Sequence, residues 1–250
     1  MNVVLISTYE LGHQPFGLSS PAAWLARQGH KVACVDLAVG PLDEAAIQNA
    51  GLIAFYLPMH TATRLAIPVI EQVKRLNPGA RLACYGLYAP LNADLLRGLG
   101  IETVIGGEFE PALVQLANGG IPASKRLEKL AFLSPDRSGL PGLELYSHLR
   151  QNGNKTTAGY TEASRGCKHL CRHCPVVPVY EGQFRIVQRD VVLADIRQQI
   201  AAGAKHITFG DPDFFNGPTH AVRIVEAFHS EFPDVTYDAT IKIEHLKQHR

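Results

Sequence analysis

Three thiols stand at the spacing C-x3-C-x2-C in the segment Arg165-Gly166-Cys167-Lys168-His169-Leu170-Cys171-Arg172-His173-Cys174-Pro175. Such spacing folds all three into one loop, where they can point at a common centre, and thiolates are the ligands of iron–sulfur clusters. A four-iron cubane normally takes four thiolates, so three leave one iron without a protein ligand. An open position of that kind can bind a small molecule, as open zinc sites bind water. Lys168, Arg172 and Arg165 add positive charge, which favours the thiolate form. Pro175 fixes the exit of the loop. Two other readings rest on the same residues. His169 or His173 would complete a Cys3His zinc site, although the second distant ligand pair usual for such sites does not follow. Alternatively, the thiols stand unliganded in a surface loop.

The rest of the composition bounds where such a site can sit. Cys34 and Cys84 stand alone in apolar stretches, giving five cysteines in all. An odd count, with no basic leader ahead of Val3–Ser7, argues against a disulfide framework and for a reducing, cytoplasmic setting. No apolar run approaches the roughly 20 residues of a membrane span. A formal net charge of +1 gives no basic face for nucleic acid or anionic lipid.

Residues 1–118 alternate short apolar runs with helix-like segments. Strands are expected at Val3–Ser7, Lys31–Leu37, Leu52–Leu57, Arg81–Tyr85 and Glu102–Ile105. The helices between them include one capped by Ser20 with Pro21 at its first position, and one from about Thr61 to Leu76. Strands rich in Val, Ile, Leu and Ala with helical crossovers imply an α/β fold, a doubly wound parallel sheet. Periodicity fails between 119 and 156, which reads as a linker punctuated by Gly and Pro. Strand–helix alternation resumes over 157–250, with a strand at Thr161–Arg165, a helix capped by Asp190, a strand at His206–Phe209 and a helix from Pro218. The last strand, Val235–Ile243, alternates strictly, placing Thr236, Asp238, Thr240 and Lys242 on one side. Four polar residues in a row suggest a wet, ligand-facing barrel lumen, with Asp238, Thr240 and Lys242 as substrate-facing candidates; an edge strand with one solvated face gives the same pattern.

The cysteine motif at the end of a strand, followed by strand–helix units, resembles the signature of the radical S-adenosylmethionine (SAM) superfamily. The resemblance implies that Cys167, Cys171 and Cys174 hold a [4Fe-4S] cluster whose open iron chelates SAM. One electron, from a donor such as flavodoxin or ferredoxin, then cleaves SAM to methionine and a 5′-deoxyadenosyl radical that attacks an unknown substrate. It also implies SAM contacts at Gly210, Asp211 and Asp213, after the second barrel strand, and at His173. The usual Gly-Gly-Glu is not spelled out there, so the serving carboxylate is left between the two aspartates.

A flavodoxin-like sheet ahead of such a barrel resembles the cobalamin-binding class of that superfamily. This points to Tyr9, Glu10 and Gly12 after the first strand, and to Gly106 and Gly107 after the fifth, as cobalamin-facing positions. The cobalt-ligating pattern Asp-x-His-x-x-Gly is absent, because Leu11 and Phe16 stand where Asp and Gly belong; His13 is therefore not expected to ligate cobalt. Ser7–Gly12 and Ser20–Leu25 are also similar to a subgroup named for a CUAEP or CCAEP carboxyl tail, which this sequence lacks. Only three strands follow the linker before the chain ends at His249-Arg250 inside a helix-like stretch. A partial radical SAM (βα) barrel is thus expected, in a fragment or one part of a split enzyme. The alternatives are a non-catalytic iron–sulfur or zinc-binding protein, and a corrinoid carrier.

Overall fold

The computed structural model describes residues 1–248; His249 and Arg250, expected in a closing helix, lie outside the described residues. The chain divides into two compact units, residues 1–128 with 135–141 and residues 129–134 with 142–250.

The first unit is a parallel sheet of strands β1 (Asn2–Ser7), β2 (Lys31–Asp36), β3 (Leu52–Tyr56), β4 (Arg81–Tyr85), β5 (Thr103–Gly107) and β6 (Lys125–Arg126), in the order β2-β1-β3-β4-β5-β6. All five residues of β3 are buried, as expected of a strand covered on both faces. Helices α1 (Phe16–Arg27) and α5 (Glu110–Ala117) cover one face over Val3, Leu5, Ala54 and Tyr85. Helices α2 (Glu44–Gln48), α3 (His60–Leu76) and α4 (Ala93–Gly98) cover the other over Ile6, Phe55 and Cys84. This is the flavodoxin-like doubly wound arrangement, with its topological switch between β1 and β3.

Helix α1 starts earlier than its sequence suggests, at Phe16, so Pro21 lies inside the helix and Ser20 is no cap. Proline has no N–H to return to the carbonyl four residues back. That carbonyl, on Gly17, accepts instead from the buried Tyr85 hydroxyl at 2.7 Å.

The stretch 119–156, expected as a linker, is divided between the units. Its Lys125–Arg126 pairs with Gly106–Gly107 as the sixth strand. Residues 135–141 join the first unit, where the Asp136 N–H donates to the Ser19 carbonyl at 2.9 Å and Arg137 donates to Gln14 at 2.7 Å.

In the second unit β7 (His148–Gln151) and β8 (Asn154–Thr161) form a hairpin. Its turn is Asn152-Gly153, both at positive φ, the pair favoured where the turn must follow strand twist. Strand β8 then pairs in parallel with β11 (His206–Phe209), and β11 with β12 (Thr236–Ala239). Between them β9 (Ser164–Gly166) and β10 (Phe184–Ile186) make a separate antiparallel pair. The expected strand at Thr161–Arg165 is thus the end of β8 plus β9, bent at Glu162–Ala163. Helices α6 (Val177–Tyr180), α7 (Arg189–Ala201), α8 (Pro218–Glu231) and α9 (Ile243–Gln248) complete the unit. Val192, Ile196, Ile207, Phe209, Ile224 and Phe228 form its core. Helix α7 follows Gln188 and has no side-chain cap, so Asp190 lies in its first turn rather than ahead of it. Strand β12 ends at Ala239, shorter than its alternation suggests, because the Thr240 carbonyl turns to accept the Phe214 N–H at 2.8 Å.

Candidate cluster-binding site

The three cysteines occupy the loop 167–183, whose ends are tied together where β9 pairs with β10, Gly166 opposite Phe184. Gly166 opens the loop at φ +73°, and a side chain there would run into the Tyr180 ring. Only glycine suits both demands. A turn closed by the Cys174 N–H on the Cys171 carbonyl, at 3.1 Å, sets two of the thiols three residues apart on one bend. Asn216, in the turn before α8, holds the start of the loop. Its Oδ1 accepts the Lys168 N–H at 3.2 Å and faces the Cys167 thiol at 3.5 Å, while its carbonyl accepts from Lys168 Nζ at 3.0 Å.

All three thiols are free and partly exposed. Cys84, by contrast, is fully buried, and burial pushes its thiol well up. Among the described residues the three thiols are not gathered within 4.8 Å of one another. One zinc ion with sulfurs at ~2.3 Å would draw them to about 3.8 Å apart. On a cubane each sulfur takes a different iron and stands farther off than on a single ion. His169 and His173 do not complete a zinc set: His173 is exposed, and His169 Nε2 faces His245 Nε2 at 2.9 Å. Burial, then the charge of Lys242, hold the His169 pKa below its ordinary value. Arg165, expected to lend charge to the thiols, is buried, paired with Glu162 at 2.7 Å and stacked over Phe132 at 5.0 Å.

The turn after β11 carries the other expected residues. Gly210 is glycine for a packing reason, because a side chain would collide with the Tyr160 hydroxyl. Asp211 is buried and accepts the Ala163 N–H at 3.0 Å and the Ser164 hydroxyl at 2.5 Å, fixing the bend between β8 and β9. Burial pushes its carboxyl up to about 7 against those hydrogen bonds. Asp213 Oδ1 accepts the Phe215 N–H at 3.2 Å, and its Oδ2 lies 3.6 Å from His169. Asp238 accepts from His206 at 3.0 Å and remains largely exposed; Thr240 is exposed, and Lys242 pairs with Glu244 at 2.7 Å.

Of the first-unit positions flagged for cobalamin, Glu10, Gly106 and Gly107 pack within the protein. Glu10 is buried with the Tyr56 hydroxyl 3.4 Å away, Gly12 takes a left-handed turn, and Tyr9 is half-buried. A side chain at Gly107 would meet the Arg126 carbonyl, and one at Gly106 would meet Pro90 at 2.9 Å. Beneath the strand ends Tyr56, Tyr85 and Phe109 fill the interior, with ring centroids 5.0–6.0 Å apart.

Comparison with known proteins rests on structure, since no family model and no curated protein matches the sequence. The fold is similar to that of TsrM. That protein, from Kitasatospora setae, is described as a radical S-adenosylmethionine methyltransferase with cobalamin and a [4Fe-4S] cluster bound, and it matches with a TM-score of 0.70 at 17% identity over 94% of this chain and 54% of its own. A second TsrM structure, with tryptophan substrate and the SAM analogue aza-SAM, matches with a TM-score of 0.68 at 16% identity over 94% of this chain. The chain spans about half the length of the structures it matches, 54% and 53%. The likeness shows the fold alone, a flavodoxin-like parallel sheet followed by a second unit whose strands β8, β11 and β12 run parallel. No helix among the described residues is long and apolar enough to cross a membrane.

That the three cysteines share one loop was legible from their spacing. Asn216 and the meeting of His169, Asp213 and His245 were not, because each joins distant stretches that no local pattern links.

Proposed function

We propose that this chain supplies the cluster- and SAM-binding part of a radical SAM enzyme, with Cys167, Cys171 and Cys174 as cluster ligands. The observation that carries the reading is the C-x3-C-x2-C loop, tied off by β9 and β10 just past the carboxyl end of β8. Catalytic barrels place their chemistry at that end. When bound, a three-thiolate cluster supplies an open iron for the amino and carboxylate groups of SAM and one electron to split its sulfonium into methionine and a 5′-deoxyadenosyl radical. The protein's own residues position and shield that site. Gly166 sets the loop's exit from β9, Asn216 fixes the Cys167 end, and Asp211 holds the β8–β9 bend that aims the loop. Gly210, Asp211 and His173 are the residues proposed to surround SAM. Asp238, Thr240 and Lys242 are proposed to face the substrate, and an electron carrier of the flavodoxin or ferredoxin kind is the proposed partner.

No cobalt ligand is proposed among the flagged first-unit positions, so no cobalamin step enters this reading. Titrating the cluster-free full chain with hydroxocobalamin should leave the corrinoid spectrum unshifted; a saturable shift would restore cobalamin to the account.

SAM cleavage tests the proposal. The reconstituted, dithionite-reduced chain should yield 5′-deoxyadenosine and methionine in equal amounts, and Cys171→Ala should yield neither. Intact SAM beside a reduced cluster would contradict it.

A further inference from the structure

Three side chains from separate stretches converge beside the cysteine loop: His169 within it, Asp213 after β11 and His245 in α9. Among the described residues this is the one trio of metal-ligating type whose ligand atoms all lie within 4.8 Å. The two Nε2 atoms are 2.9 Å apart, and Asp213 Oδ2 is 3.6 Å from one and 3.7 Å from the other. Nitrogen and carboxylate ligands at ~2.0–2.2 Å in a tetrahedron stand about 3.3–3.6 Å from each other. The observed triangle brackets that value and leaves a fourth corner open.

The site is also built rather than incidental. Asp213 and His245 are 2% and 4% exposed. Asp213 Oδ2 is buried with no hydrogen-bond partner, while its Oδ1 is spent on the Phe215 N–H at 3.2 Å and the Lys242 N–H at 3.4 Å. Two facing Nε2 atoms can share only one proton between them, so at least one offers a lone pair. The nearby ammonium groups are turned to other partners, Lys168 to the Asn216 carbonyl and Lys242 to Glu244. A buried carboxylate oxygen without a donor, facing two imidazoles, calls for a cation.

We infer that His169, Asp213 and His245 bind one divalent transition cation of the zinc class, distinct from the cluster. The ion would bind the cysteine loop, the β11 turn and α9 together, and it would take Asp213 Oδ2 out of contact with SAM. The donor set of two imidazoles and a carboxylate suits Zn(II) or Fe(II).

The test uses the full chain with Cys167, Cys171 and Cys174 all changed to Ser, so that neither cluster nor thiol-bound zinc contributes. Its outcome is therefore independent of SAM chemistry. Zinc titrated in competition with a chromogenic chelator should bind at one equivalent per chain, and Co(II) in its place should give tetrahedral d–d absorption. His245→Ala and Asp213→Asn in the same background should each weaken zinc at least tenfold, and the exposed His229→Ala should not. Should His245→Ala lose its circular dichroism, His169→Gln, on the half-buried loop, carries the same expectation. In the cluster-loaded wild-type chain, metal analysis should find one zinc beyond the cluster iron, lost in His169→Gln. No zinc bound by the thiol-free chain, or binding within threefold of it in both His169→Gln and Asp213→Asn, would overturn the site.

Discussion

Both units present residues whose types suggest a cofactor, yet the fold uses them differently. At the strand ends of the first unit, Gly107 gives way to the Arg126 carbonyl and Gly106 to Pro90, and Tyr56, Tyr85 and Phe109 occupy the space below. In the second unit the loop is anchored through Gly166, Asn216 and the β9–β10 pairing. Among the described residues, the Cys167 thiol makes a weak contact with Asn216. A reactive residue type thus points to chemistry only where packing has not already committed it.

Removing one thiol from each unit separates them most strongly. Cys171→Ala should abolish cluster incorporation, read as loss of the iron–sulfur absorbance and of bound iron and sulfide. Cys84→Ala should leave incorporation intact and cost about 1–2 kcal/mol in urea unfolding, since Cys84 is a buried core residue. A cluster that survives in Cys171→Ala would remove the basis for the assignment.

Two glycines separate the units further. Gly166→Ala forces a Cβ into Tyr180 at positive φ and should lower cluster loading severalfold. Gly107→Ala makes a similar collision with Arg126 and should destabilise the first unit by about 1–3 kcal/mol without changing iron content. Equal effects of the two on loading would erase the distinction between the units.

Asn216→Ala removes the acceptor of the Lys168 N–H and should cost about 1–2 kcal/mol. It should also shorten the lifetime of the cluster in air, followed as the decay of its visible absorbance. The smallest change is expected from Tyr85→Phe, which leaves the Gly17 carbonyl opposite Pro21 without its donor. A loss of about 1 kcal/mol in denaturant unfolding, with an unaltered cluster, is the expected result.

Much of this was legible in the residues, for reasons that also explain the rest. Val3–Ser7, Leu52–Tyr56 and His206–Phe209 read as strands because buried parallel strands are continuous apolar runs. The cysteines read as sharing one loop because near neighbours in sequence are brought together there. Helix α1 starts ahead of Ser20-Pro21, whose helix-start signal Tyr85 overrides by giving the Gly17 carbonyl the donor that proline lacks. The hairpin at Asn152-Gly153 had its signal in that dipeptide, which the irregular stretch around it obscured. Strand β12 is half the length its alternation implies because a side chain pattern does not reveal where a carbonyl such as that of Thr240 leaves the ladder. Asn216, and Asp213 between two histidines, depend on tertiary contacts alone.

The central claim is that the loop of Cys167, Cys171 and Cys174 holds a cluster with one iron open to SAM. Electron paramagnetic resonance of the anaerobically reconstituted, reduced chain, with and without SAM, addresses it most directly. The account predicts a reduced-cluster signal whose g-values shift on adding SAM and which is missing in Cys171→Ala. A cluster signal indifferent to saturating SAM would contradict it.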